Sequence, residues 1–240
     1  MFFDQHEFEI RCEWGLAGLT ALLPTSDVFI IVDVLSFSTS VDLAVGNGAL
    51  VYPYRWKDES AVAYAQERGA ILASFDRRAT ASYSLAPSSL VAIPAGARLV
   101  LPSPNGSTLS TATETTLTFA GCLRNARAVA RAAQRRGRRI SVIAAGERWS
   151  DGSLRPAIED LLGAGAIVAQ LSGSRSPEAT VAEQAFLSLQ ANLSAYLRQC
   201  SSGKELIERD MADDVELAAA LNQSDAAPLL QDGAYAAADG

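Results

Sequence analysis

VFIIVDV, residues 28–34, is an apolar run interrupted only by the carboxylate of Asp33. β-branched and aromatic residues at nearly every position describe a strand buried on both faces rather than one with a wet side. Such a strand needs helices above and below it, so this stretch decides for a layered α/β fold. Asp33 is its anomaly. A carboxylate there is costly unless it is paired, hydrogen-bonded or bound to a metal. Ser36, Ser38, Thr39 and Ser40 follow at the start of a helical segment, where hydroxyls suit either capping or an anion.

Outward from this strand, strand and helix patterns alternate. Phe8 to Trp14 alternates apolar and charged residues, and Leu16–Leu23 is a short helix stopped by Pro24. Strands are expected at 49–54, 70–75, 97–101, 117–120 and 139–145, and helices at 58–68 and 122–136. Residues 76–87 read as a polar surface loop. A helix over 153–171 is expected with Ser153 as its cap. The longest helix is expected over 177–199, with Pro177 at its first position. PLLQDGAY predicts a closing hairpin around Asp232-Gly233. The pattern predicts one domain over 1–240, an α/β/α arrangement with a largely parallel or mixed sheet.

In such sheets ligands gather beyond the carboxyl ends of strands. That rule selects Asp33–Thr39, Ser103–Thr108 and Gly146–Asp160. SPNGST, residues 103–108, reads as a turn by itself, and as strand–loop–helix it also suits an anion. Glu159 and Asp160 open a helix and point about 100° apart, so both cannot face one ligand squarely. One could hold a metal while the other orients water, or both could simply complement the helix dipole.

The 240 residues carry a net charge of −7 and a single histidine, His6. Acidity argues against nucleic acid and anionic membranes as partners. One histidine makes a Ser-His-Asp triad improbable. The three separated cysteines predict reduced thiols, and with no basic leader at the start a cytoplasmic protein is expected. Arg124, Arg127, Arg131 and Arg135 form a stripe read as a solvated helix face or subunit contact.

Four segments in order, VFIIVDVLSFSTS, SPNGST, IEDLLGAGAIV and DDVELAAALNQSDAAPLLQDG, resemble the 2-phosphosulfolactate phosphatase family. These are Mg²⁺-dependent hydrolases of coenzyme M biosynthesis, and the resemblance spans about Val28 to Gly233. Asp33, Val34 and Leu35 match the family's D-V-L-R-A-[ST]. Asn105, Gly106 and Ser107 match N-G-T, and Glu159 and Asp160 match E-D. Ser224, Asp225, Pro228, Leu230, Asp232 and Gly233 match the terminal pattern. The family arginine after D-V-L is Ser36 here, followed by Phe37.

The resemblance implies a Mg²⁺-dependent phosphatase acting on a small anionic phospho-acid. Asp33, Glu159 and Asp160 would be catalytic, with Asp33 and Asp160 on the metal. Ser36, Ser38, Thr39, Ser103, Asn105, Gly106, Ser107, Glu147, Arg148 and Arg155 would contact the substrate. Arg148 or Arg155 would replace the missing cation. A homodimer is expected. The alternative is a divergent relative that binds a small anion without turnover.

Overall fold

A computed structural model describes residues 2–79 and 82–238. Strands β1 (Ile10–Trp14), β2 (Val28–Val32), β3 (Leu50–Tyr54), β4 (Ile71–Leu72), β5 (Arg98–Pro102), β6 (Leu117–Gly121) and β7 (Ile140–Ala144) come first in the chain. A small hairpin, β8 (Glu147–Arg148) and β9 (Leu154–Arg155), follows. The chain closes with β10 (Pro228–Gln231) and β11 (Ala234–Ala237). Nine of these strands form one sheet in the order β1-β7-β2-β6-β10-β11-β3-β5-β4.

β1, β7, β2 and β6 run parallel, as do β3, β5 and β4. Between them sits the closing hairpin, antiparallel to both neighbours. Three reversals separate β6 from β3, so the two parallel halves point in opposite directions. The sheet is therefore mixed. The hairpin was legible in its Asp232-Gly233 turn, but its insertion at the centre was not.

Alternation along β2 explains the layers. Val28, Ile30 and Val32 join the core that holds Val129 and Ala133 of α5 (Ala126–Gln134) and Leu162 of α6 (Ile158–Val168). Phe29 and Ile31 face the other way, onto Leu19 and Leu22 of α1 (Gly15–Leu22) and Leu109 of α4 (Gly106–Ala112). Successive strand side chains point to opposite faces, so a strand with both faces covered must be apolar throughout. The five β2 side chains are fully buried, worth about 2 kcal/mol apiece.

α2 (Phe37–Gly46) connects β2 to β3, and α3 (Ser60–Glu67) precedes β4. The expected helix over 177–199 breaks into α7 (Pro177–Leu189), a 3-10 turn, and α8 (Leu193–Gln199). α9 (Ser201–Glu208) and α10 (Ala212–Ala219) complete the helical layer. The helix expected from Ser153 begins at Ile158, because Leu154 and Arg155 pair with Arg148 and Glu147 instead. Pro156, placed after that pairing, keeps the preceding residue extended. The strand expected over 70–75 shrinks to Ile71–Leu72, with Ser74 in a single bridge to Ser84. Thr80 and Ala81 of the expected loop lie outside the described residues.

Arg124 is no solvated residue. It donates to buried Asp42 at 2.9 Å and to the Leu217 carbonyl at 3.1 Å, fastening α2 to the end of α10. All three cysteines are free and buried. No helix among the described residues is long and apolar enough to cross a membrane.

Candidate active site

Asp33 follows β2 directly and sits where two chain segments meet. Its Oδ1 accepts the N–H of Phe37 at 3.1 Å, capping α2. Its Oδ2 accepts the N–H of Gly106 at 2.9 Å, fixing the start of α4. A Cβ on Gly106 would lie 2.2 Å from Cδ1 of Phe37, so glycine alone permits this approach. Segment 103–107 thus does hold an anion, but that anion is the protein's own Asp33. Its neighbour Asn105 donates to Oε2 of Glu147 at 2.9 Å.

The hydroxyls expected to meet the substrate are mostly engaged elsewhere. Ser38 donates to the Ile31 carbonyl and accepts the Asp33 N–H, both at 3.0 Å. Thr39 donates to the Val34 carbonyl at 2.7 Å and Ser107 to the Leu101 carbonyl at 3.0 Å. All three are fully buried. These buried hydroxyls satisfy backbone carbonyls and thereby fix the loops. Ser103 is also buried, with its N–H on the Tyr54 carbonyl at 2.9 Å.

Glu159 and Asp160 diverge as their helical spacing requires. Asp160 accepts the Val34 N–H at 2.7 Å and the Gly146 N–H at 2.8 Å, stapling the ends of β2 and β7 together. Glu159 turns towards the Cys200 thiol, and its charge acts on Asp33, Glu147 and Asp160. Asp33 is 7% exposed, against 3% for Asp160 and 2% for Glu159, so Asp33 offers the readiest access to a ligand.

Two cations face these acids, and neither was singled out from sequence. Arg77, from the loop after β4, donates to Ser36 Oγ at 2.9 Å, and its charge acts on Asp33. Lys57, just after β3, interacts electrostatically with Arg77, Asp33 and Glu147. The only sequence signal was indirect: a serine at the position of the family arginine requires a cation from elsewhere. Arg148 instead donates to the Gly152 carbonyl within its own hairpin, at 3.0 Å. Arg155 donates to Ser202 Oγ at 3.3 Å, stands 5.9 Å from the Trp149 ring centre, and lends its charge to Glu147.

Electrostatics unify the cluster. Burial raises the pKa of Asp33, opposed by its two N–H donors and Arg77 and aided by Glu159. Burial, then the charges of Asp33 and Glu159, push Asp160 well above the usual carboxylate range despite two backbone donors. Burial and then Asp33 push Glu147 up to about 7. Desolvation, followed by repulsion from Arg77, lowers the pKa of Lys57. These carboxyls resist ionising together, which is the behaviour of a site short of positive charge.

A hard cation would relieve that crowding. Each oxygen of Asp33 and Asp160 accepts one N–H and retains a lone pair. Oxygen donors of this kind fit Mg²⁺, which binds through one or two carboxylates and keeps waters and phosphate oxygens besides. Among the described residues, the one group of three or more acidic, histidine or cysteine ligand atoms within 4.8 Å of one another is Asp4, His6 and Glu7. The buried acids form a looser set.

A family model for 2-phosphosulpholactate phosphatase matches residues 19–233 of this chain. The chain belongs to the 2-phosphosulpholactate phosphatase family. A comparison with curated proteins returns no match. The family match covers every element that builds the acidic cluster, from β2 through α6, and includes the turn of the closing hairpin. Within this family member, Ser36 stands beside Arg77, which brings a guanidinium to the loop that follows β2.

Proposed function

We propose that this chain is a Mg²⁺-dependent phosphatase that hydrolyses the phosphate monoester of a small acidic metabolite of the 2-phosphosulfolactate type. The observation that carries the reading is Asp33, buried, held by two backbone N–H groups and flanked by Arg77 and Lys57, in a chain of this family.

Arg77 and Lys57 would meet the phosphate and any second anionic group of the substrate. A planar guanidinium matches two phosphate oxygens at once, and Ser36 orients it. Asp33 and Asp160 would hold Mg²⁺. When bound, the ion would neutralise phosphate oxygens and polarise the leaving group. Glu147, with its pKa near neutrality, suits proton transfer to the leaving oxygen or from the attacking water. Among the groups with nucleophilic potential, Ser38, Thr39 and Ser107 are fully buried, and only Asp33 retains exposure. A homodimer in the cytoplasm remains our expectation for its setting.

The test is phosphate release from a panel of small phospho-acids, with Mg²⁺ and with EDTA, for wild type and Asp33→Asn. Mg²⁺-dependent release that Asp33→Asn abolishes is the expected result. Release indifferent to Asp33→Asn would discard this site. Folded protein that binds phospho-acids without releasing phosphate would favour the anion-binding alternative.

A further inference from the structure

Beside Glu147 and Asn105 lies a cavity of about 210 Å³ that the reaction chemistry leaves unused. Its wall is largely apolar: Trp14, Leu16, Ala17, Pro104, Leu109 and Leu154 line it. It opens between the start of α1, the start of α4 and the β8–β9 hairpin. Asn105 and Glu147 line this cavity, and Glu147 also interacts electrostatically with Asp33 and Glu159, so the cavity borders the acidic cluster.

Local geometry builds the cavity. Gly146 has φ +67°, and a Cβ there would come within 2.6 Å of Leu154 Cδ1 and 3.0 Å of the Arg155 carbonyl oxygen. Glycine at 146 therefore lets the hairpin fold back and place Leu154 over the opening. Leu16 and Leu154 stay 47% and 40% exposed, apolar surface held next to a charged site.

A polyanion of three carbons has nothing to place against Trp14 and Leu109. An apolar cavity of roughly 150 Å³ already admits a benzene ring. On the phosphatase reading above, we propose that the substrate carries an apolar substituent, an aryl or branched alkyl group, which seats in this cavity while its phosphate meets Arg77 and Lys57. The substrate class is then a phosphorylated hydroxy acid with a hydrophobic side chain.

The experiment compares 2-phospholactate with 2-phospho-3-phenyllactate, using wild type and Ala17→Trp. Ala17 is exposed on α1, so the substitution fills the cavity from its rim without entering the core. The expected result is a kcat/KM at least about tenfold higher for the phenyl compound, a ratio that collapses towards one in Ala17→Trp. Equal rates for both compounds in wild type would overturn the proposal and leave the phosphatase reading standing. If neither compound is hydrolysed while another phospho-acid of the panel is, the proposal is overturned and the phosphatase reading stands; if no phospho-acid is hydrolysed, the phosphatase reading fails separately. The cavity is then judged by phenyllactate binding followed through Trp fluorescence. Saturable binding that Ala17→Trp abolishes supports it, and no binding overturns it. A change of oligomeric state in Ala17→Trp, read by light scattering, would assign the cavity to a contact between two copies and overturn the proposal.

Discussion

Arg77 reaches across 41 positions of sequence to place its guanidinium 2.9 Å from the Ser36 hydroxyl. Ser36 occupies the position where the family pattern has arginine. On the proposed reading, the cation that the family pattern places in the loop after β2 would be supplied here from the loop after β4. Arg77→Gln is expected to lower kcat/KM for a phospho-acid by about 30-fold, the equivalent of about 2 kcal/mol for one hydrogen bond to a charged group. Arg77→Lys should recover only part of this, because the point charge returns without the fork. Ser36→Ala should raise KM by a smaller factor. Steady-state kinetics on the three variants measure the order. Arg77→Gln kinetics equal to wild type would remove Arg77 from the site.

Glu147 makes stability depend on pH. Its folded-state pKa is raised from 4.5 to about 7, so the folded protein binds this proton more tightly than the unfolded chain does. Stability is then highest below the unfolded value and declines as pH rises from 4.5 towards 7. Asp33 and Asp160, also raised, act in the same sense. Thermal unfolding in EDTA should show Tm falling across that window. Glu147→Gln should flatten part of the slope, and an unchanged slope would contradict the assignment.

Metal should reverse that decline. Mg²⁺ binding only to the folded state stabilises it by about 2.7 kcal/mol when present at 100 times its Kd. Wild type at pH 7 is expected to gain Tm as Mg²⁺ is titrated in. Asp33→Asn, with its donor set broken, should gain little. Differential scanning calorimetry measures both. Equal gains in the two proteins would place the ion elsewhere, with Asp4, His6 and Glu7 the next group to examine.

Gly106→Ala should disturb the site through sterics alone. The new Cβ falls 2.2 Å and 2.6 Å from two ring atoms of Phe37. Overpacking of this kind costs about 1–3 kcal/mol, and here it also pulls the Gly106 N–H from Asp33. Phe37→Leu alone leaves space on the same side. The double variant should be more stable than the two single losses added together predict. Urea unfolding of the four proteins measures the coupling, and strict additivity would deny that the ring sets the approach of α4.

Breaking the Asp42–Arg124 pair should cost more than any surface ion pair in the chain. Asp42 is 1% exposed, its pKa is raised by burial, and Arg124 is its charged partner. Arg124→Met leaves a buried carboxylate without that partner, a change that costs about 3–5 kcal/mol. Chemical denaturation against wild type measures it, and a loss under 1 kcal/mol would show the pair to be effectively solvated.

Much of this protein is legible in one dimension. The unbroken apolar run of β2, the Asp232-Gly233 turn and the acids at 33, 159 and 160 are local signals. Periodicity and turn chemistry report burial and conformation within a few residues, and they mark Asp33 as a charge that needs partners. Ser153 misled, because a good cap residue also fits a hairpin, and the pairing of Leu154 with Arg148 decided between them. Arg124 misled likewise, since a helical stripe of arginines carries no mark of the one that faces Asp42.

The sequence by itself determined the general alternation of strands and helices, the doubly covered strand, and the acids at 33, 159 and 160. Tertiary structure alone decided where the closing hairpin inserts, that Gly106 is the donor Asp33 needed, and that Arg77 and Lys57 face it. The Arg77–Ser36 and Gly106–Asp33 hydrogen bonds alone join residues 41 and 73 positions apart. Such pairings are set by which surfaces pack together once the layers close, a choice that no local pattern of side chains encodes.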